Sequence, residues 1–434
     1  MRALFLCRWT VVLVFVLSAV SQAQPPLGLP SADPASVGMS AEALAALPAK
    51  FAPLIDDAKV PGCVTVVARE GKVVHFEAFG KRDVERGTPM TRDTIFRMYS
   101  MTKPITGVAI MILVDEGKLS VSDPVSKFIP EFADSQVVAT GADGTTKLVL
   151  AETPMTIQHL LTHTSGLTYG NEPKVKGFYT EYGVNTGRGS GLTLEEFAKR
   201  AAKVPLICEP GAAWHYGISM DVLGRIVEVA AEQPFDQFLE ARIFKPLNMK
   251  DTGFAVPTGE VDRFAANYKR KRKGGMRLID DPEDSPYLKQ PSLPSGGGGT
   301  VGTAGDYLRF AQMLLNGGEL GGVRIVSEES IAEMTKQQLP PELGNDHLGS
   351  MLPGMSEGVG FGYAGAVVMG GYDRTPFGSA GTYSWGGAAS TDFWIDFKQE
   401  LIGMVLTQLM PTGRYPTRVI MMQATNGAIV ERKE

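Results

Sequence analysis

The spacing of hydrophobic positions changes several times along the chain, and each change predicts an element. Leu44, Leu47, Phe51 and Leu54 recur at helical intervals. Pro48 and Pro53 fall among them and rule out one straight helix. The stretch "GCVTVVAREGKVVHFEAFG" holds two β-rich runs around Glu70, Gly71 and Lys72, which predicts a hairpin. Residues 99–246 turn to the helical period, as in "ITGVAIMILVDEG" and "SMDVLGRIVEVAAE", with loops rich in glycine, proline and aspartate between them. Residues 252–299 carry no regular period and end in "SGGGG", which reads as a flexible or tightly turning segment. From Thr303, "AGDYLRFAQMLLNGG" is helical, and a second helix is expected over 328–337. Strands are predicted in "FGYAGAVVMG", in the run ending "TDFWIDF" and in "ELIGMVLTQL", and the residues from Thr417 onward read as helix.

β-rich runs at both ends therefore bracket a helical middle. One sheet drawn from both ends of the chain, with a mainly helical insertion, accounts for this better than two sequential domains. The expected class is α+β. The expected division places 24–98 and 300–434 in a discontinuous sheet domain and 99–299 in a mainly helical domain, with the active site between them. The irregular stretches 171–191 and 252–299 are expected to line the cleft.

Composition changes this picture in three places. Residues 1–23 read as a secretory signal: Arg2 and Arg8 precede an apolar run from Trp9 to Val20, and Ser21 and Ala23 offer small residues for cleavage. The run is shorter than the roughly 20 apolar residues of a membrane span, so export to the periplasm or medium is expected, without stable membrane insertion. Losing Arg2 and Arg8 takes two positive charges from the formal −5, leaving −7 on the mature chain, which disfavours nucleic acid or an anionic membrane as partner. Cys63 and Cys208 are the cysteines that remain; Cys63 reads as a small buried hydrophobe, and a bond between the two is disfavoured. The basic run 269–273 is followed by acidic "DDPED", which reads as a solvated loop with locally offset charge.

Three motifs carry candidate chemistry. In "YSMTKP", Ser100 stands three residues ahead of Lys103, and no other serine of the chain has lysine at that spacing. Residues three apart on a helix share a face, so hydroxyl and amine can meet. Pro104 suits a first helical turn, and N–H groups at a helix start favour a developing oxyanion. An ordinary lysine, with a pKa of about 10.4, is a poor base, so the amine must be held neutral by its surroundings to act as one. Taken alone, the pair fits a capping serine and a surface lysine equally well. In "WHYGISMDVLG", Tyr216 follows a tight loop and precedes a helix; it is either a hydroxyl aimed into a cleft or a buried aromatic. In "TYSWGGAAS", Gly386 and Gly387 follow Trp385 and would allow close approach of a ligand to the backbone.

In order and rough spacing these motifs resemble the serine β-lactamase and penicillin-binding protein superfamily, whose members carry Ser-x-x-Lys, then Tyr-x-Asn, then Lys-Thr-Gly. The chain is most similar to the class C β-lactamase branch and its esterase relatives, the family VIII carboxylesterases. The segments "TIQHLLTHTSGL", "FKPLNMKDTGF" and "GGGGTVGTAGDYLRFAQMLLNGGEL" extend the likeness over nearly the whole mature chain. The resemblance implies the β-lactamase/transpeptidase-like fold, an antiparallel sheet flanked by helices. It implies Ser100 as nucleophile, with Lys103 and Tyr216 relaying its proton, and an oxyanion hole from the backbone N–H groups of Ser100 and Ala388.

The departures shape the expected substrate. Ile218 stands where the β-lactamases have asparagine, and Trp385, Gly386 and Gly387 replace Lys-Thr-Gly. A charge-assisted hydrogen bond is worth ~1.5–3 kcal/mol, so losing such partners weakens binding of anionic substrates by about one to two decades. An indole at position 385 suits a neutral acyl or alcohol group, and Trp385, Gly386, Gly387 and Ile218 are the expected substrate-binding residues. The expected activity is hydrolysis of carboxylic esters of short to medium acyl chains, with slight cephalosporin hydrolysis. The alternatives are a β-lactamase or D-alanyl peptidase, an acyltransferase using the same acyl-enzyme, and a non-catalytic binding protein on this fold. No GxSxG elbow is present, which argues against a Ser-His-Asp hydrolase. His159 and His163 are four apart but have no third ligand in view, so neither metal nor cofactor is expected. The expected partner is a small ester; the patterns carry no information on oligomeric state.

Overall fold

The computed structural model describes residues 29–140, 145–340, 343, 358–370 and 378–433. The expected signal segment lies outside the described residues. Eight strands form the main sheet: β1 (Gly62–Arg69), β2 (Lys72–Asp83), β3 (Thr88–Pro89), β4 (Val359–Phe361), β5 (Ala366–Val368), β6 (Tyr383–Gly387), β7 (Thr391–Asp396) and β8 (Leu401–Leu406). Their spatial order is β4-β5-β6-β7-β8-β1-β2-β3, antiparallel throughout. The seam between the two ends of the chain runs down the β8–β1 pair, with Thr65 opposite Val405. The β1–β2 hairpin turns through Glu70 and Gly71, both at positive φ (53° and 70°), the geometry that matches the twist of paired strands.

Strands β1, β7 and β8 are buried along their whole length, which requires cover on both faces. Consecutive side chains of a strand point to opposite faces. Phe393 packs its ring 4.9 Å from that of Tyr307, while its neighbour Asp392 meets Arg418 at 3.3 Å. The helices carrying those partners, Ala304–Leu315 and Thr417–Gly427, therefore cover opposite faces.

Five helices matter below: α1 (Leu47–Asp56), α2 (Thr102–Asp115), α3 (Ser219–Ala231), α4 (Ala304–Leu315) and α5 (Thr417–Gly427). The break expected near the prolines falls at Ala46, between α1 and a short helix Ala41–Ala45. Pro48 then sits in a first turn, where its missing N–H costs nothing, and Pro53 stays inside α1. Helix α2 is buried from Thr102 to Leu113 and forms the central strut of the molecule.

Three expectations need correction. "FGYAGAVVMG" makes two short strands, β4 and β5, because Ala364 at φ 60° reverses the chain between them. "ELIGMVLTQL" divides into β8 and a two-residue strand, Leu409–Met410. That strand joins a hairpin of Asn267–Arg270 and Met276–Asp280, so the stretch 252–299 is not wholly irregular. Cys63 is buried in β1, and both it and Cys208 are free thiols. Among the described residues, no helix is long and apolar enough to cross a membrane.

Candidate active site

Ser100 lies in a single 3-10 turn, Tyr99–Met101, that feeds directly into α2. Tyr99, just before it, is held at φ 47°, a left-handed conformation costly for a bulky residue. The surroundings hold that turn in place. The Met98 N–H donates to Thr300 O at 2.9 Å, the Thr102 and Thr300 hydroxyls pair at 2.7 Å, and Thr391 Oγ1 donates to Met98 O at 3.3 Å. Ser100 is thus exposed to a cavity while its backbone is pinned from α2, β7 and the stretch before α4.

Lys103, the second residue of α2, is completely buried. Its Nζ donates to Ser100 Oγ at 3.2 Å, to Tyr169 Oη at 3.1 Å and to the Gly297 carbonyl at 2.5 Å. It also lies 4.6 Å from the centre of the Tyr216 ring. Three acceptors match the three N–H bonds of an ammonium. Burial pushes the amine down, but the phenols of Tyr169 and Tyr216 and the Asp221 carboxylate outweigh it and hold Lys103 above the usual lysine range. The expectation of a neutral resting amine is therefore corrected: polar oxygens, not hydrocarbon, surround it.

Tyr216 is fixed by rings. His163 packs 4.8 Å away, Tyr169 and Trp385 at 5.5 Å each, and Trp214 stacks at 5.9 Å. Trp385 Nε1 donates to Tyr216 Oη at 3.4 Å. His163 is neutral, since burial first and the Lys103 charge second hold it well below its usual value. His159 is occupied elsewhere, its Nδ1 accepting the Thr156 N–H at the start of its own helix.

A cavity of about 360 Å³ opens at Ser100, and its wall includes Tyr169, Thr186, Gly187 and Arg188 together with Tyr287, Pro291, Leu293 and Ser295. Both stretches expected to line a cleft do so. Ser100 and Ala388 share its wall, and Ala388 occupies the turn between β6 and β7.

Four expected binding positions sit elsewhere. Ile218 is 2% exposed and packs in the core ahead of α3, as a branched apolar side chain does when a buried site is open to it. Trp385 is 3% exposed, packs its ring against Tyr216 and donates to the Tyr216 hydroxyl, and it is not among the residues lining the cavity. Gly386 and Gly387 are absent from the cavity wall among the described residues. Their missing side chains make room for the chain itself: a Cβ on Gly386 would meet Asp392 Oδ1 at 2.2 Å, and one on Gly387 would meet Thr391 Oγ1 at 2.3 Å and Met98 O at 2.4 Å.

Sequence reasoning missed Tyr169, Asp221 and the Gly297 carbonyl. Asp221 is buried in the first turn of α3, its Oδ1 accepting from the Ser295 hydroxyl and, at 3.1 Å, from the Gly297 N–H. Burial pushes its carboxyl up, against the pull of Ser295, Lys103 and Gly297. The signal was present, since an acid flanked by Met220, Val222 and Leu223 stands among buried positions. The "SGGGG" run makes the tight turn expected of it, the Gly298 and Gly299 N–H groups donating to Ser295 O at 3.4 and 2.9 Å. It is wedged between α2 and α3, where a Cβ on Gly296 would meet Met220 O at 2.4 Å.

The family model described as Beta-lactamase matches residues 47–422. Esterase EstB of Burkholderia gladioli is 34% identical over 355 residues, 78% of this chain and 83% of its own. Protein Rv1367c of Mycobacterium tuberculosis is 37% identical over 287 residues, 66% of this chain and 70% of its own. Among solved structures, "EstCE1, a hydrolase with promiscuous acyltransferase activity" superposes with a TM-score of 0.75 at 30% identity, covering 88% of this chain and 99% of its own.

Proposed function

The chain belongs to the beta-lactamase family, and from that premise we propose that it is a carboxylesterase working through an acyl-enzyme on Ser100. The observation that carries the reading is the 3.2 Å approach of Lys103 Nζ to Ser100 Oγ at the floor of the cavity. Ser100 Oγ attacks the ester carbonyl carbon. Its proton passes to the Lys103–Tyr216 pair, which in the active form holds one proton fewer than at rest, and the pair returns that proton to the departing alcohol. The N–H groups of Ser100 and Ala388 receive the oxyanion, a donor of this kind being worth ~3 kcal/mol to the transition state. Water then attacks the acyl-enzyme with the proton steps reversed.

Substrates are neutral esters of short to medium acyl chains. Support comes from the esterase relatives, from the volume of the cavity and from the absence at 385–387 of the Lys-Thr-Gly that β-lactamases carry. The leader in the sequence supports export. A second reading, transfer of the acyl group to an alcohol in place of water, is favoured by the likeness to EstCE1.

The test compares p-nitrophenyl acetate, butyrate and laurate with a chromogenic cephalosporin, in the wild type and in Ser100→Ala. Butyrate turnover should exceed cephalosporin turnover, and Ser100→Ala should lose at least about a thousandfold in kcat. Undiminished turnover in Ser100→Ala would remove the nucleophile. A cephalosporin rate above the butyrate rate would return the protein to the β-lactamases. An added alcohol that speeds product release would establish transfer.

A further inference from the structure

The segment between the helices Lys176–Glu181 and Leu194–Ala201 contributes Thr186, Gly187 and Arg188 to the cavity wall. It is rich in glycine: Gly183 and Gly191 at its ends are at φ 62° and 69°, with Gly187 and Gly189 between. Such a sequence has little order of its own. One side chain ties it down. Arg188 joins the segment to the stretch 286–299 that also lines the cavity, its Nη1 donating to Pro286 O (3.3 Å) and Lys289 O (3.1 Å). Nη2 donates to Gly299 O (3.1 Å) and to Phe254 O. The guanidinium carbon lies 3.8 Å above the centre of the Tyr287 ring, itself part of the wall.

A cation at a binding cavity usually suggests a receptor for an anionic substrate. The hydrogen-bond inventory argues otherwise. Arg188 has no carboxylate within ion-pair distance among the described residues, yet its four terminal N–H bonds are already directed at backbone carbonyls. The one N–H left over, on Nε, is buried without a partner and cannot face a ligand. A planar fork with fixed donors suits this task, and the single ammonium of lysine does not.

We propose that Arg188 is a latch: it straps residues 183–191 across the cavity and so limits the size of the ester that Ser100 can take. It is a specificity-determining residue, and the proposal rests on the esterase reading above. With the latch shut, Thr186 and Gly187 complete the cavity wall with Leu293 and Ser295; with it open, the glycine-flanked strap is free to leave and the cavity widens.

The test uses Arg188→Ala and Arg188→Lys. The quantity read is the ratio of kcat/KM for p-nitrophenyl pivalate and laurate to that for the acetate, which does not depend on the fraction of enzyme folded. It should rise by about tenfold or more in both variants, a range typical of pocket-shape effects. Thermolysin cleavage within 183–191 should also quicken in both. An unchanged ratio in Arg188→Ala, or wild-type behaviour in Arg188→Lys, would overturn the latch. So would a loss confined to p-nitrophenyl hemisuccinate, which would make Arg188 an anion receptor. If Ser100→Ala kept its ester turnover the esterase reading would fall, while the protease arm would still judge the latch.

Discussion

A buried amine ringed by oxygen behaves differently from one ringed by hydrocarbon. Lys103 keeps its proton at rest because Tyr169, Tyr216 and Asp221 offset the cost of burial, so the proton that must leave before Ser100 can be activated leaves late. The expected pH profile rises through the alkaline range. Asp221 acts through Gly297, whose N–H donates to it and whose carbonyl accepts a hydrogen bond from Lys103. In Asp221→Asn the carboxylate that raises the lysine is gone, the folded-state pKa of Lys103 falls, and the rise in kcat/KM should move to lower pH. A Ser295→Ala variant, which removes a hydrogen bond but no charge, should leave the rise where it is. An unmoved profile in Asp221→Asn would show that the carboxylate only supports the peptide. Ser100, Lys103 and Tyr216 were legible in the sequence because a fixed spacing or a loop-helix junction marks them. Asp221 and the Gly297 carbonyl were not, since one sits inside an apolar helix pattern and the other has no side chain to read. Ile218 and Trp385 were misplaced for a related reason: sequence position fixed their neighbourhood but not which way they face.

At the scale of elements, the glycine run before α4 joins the two helices that carry the site. Gly296 O accepts from Thr106 on α2 at 2.8 Å, and the Gly297 N–H reaches Asp221 on α3 at 3.1 Å. Only a residue without Cβ fits between them, as the 2.4 Å approach to Met220 O demonstrates at Gly296. Gly296→Ala must push the run away from α3, which carries the Gly297 carbonyl off Lys103. Overpacking of this kind costs roughly 1–3 kcal/mol, so the variant should melt a few degrees lower and, measured well below its melting temperature, lose most of its kcat. A fully active Gly296→Ala would mean that α2 alone holds Lys103 in register. The long helices and the β1–β2 hairpin were legible from period and turn chemistry. The turn in the glycine run was legible as well, but its close packing was not, because that depends on what the glycines pack against. The hairpin at 267–280 was hidden by the charges on its exposed face.

The whole molecule depends on closing one sheet from two distant stretches of chain, and one buried side chain sits at that closure. Arg69 ends β1 opposite Leu401 of β8 and is 1% exposed. Its guanidinium donates to Val37 O and Gly38 O at 3.0 Å each, to Gln399 O at 3.2 Å and to Glu431 O at 2.6 Å. It thus joins the chain before α1, the β7–β8 turn and the tail after α5. Neither hydrophobic period nor motif marked it, because its partners, mostly backbone carbonyls, lie more than thirty residues away on both sides. In Arg69→Leu those buried carbonyls lose their donor, each at about 1–3 kcal/mol, and the ends of the chain lose their common anchor. The variant should unfold at a clearly lower urea concentration, by at least about 3 kcal/mol in stability. Its kcat and KM at low temperature should match the wild type, because the anchor makes no contact with Ser100, Lys103 or the cavity wall. A large fall in kcat with unchanged stability would mean that the seam transmits strain to the β6–β7 turn at Ala388, and that the sheet does more than hold the catalytic residues in place.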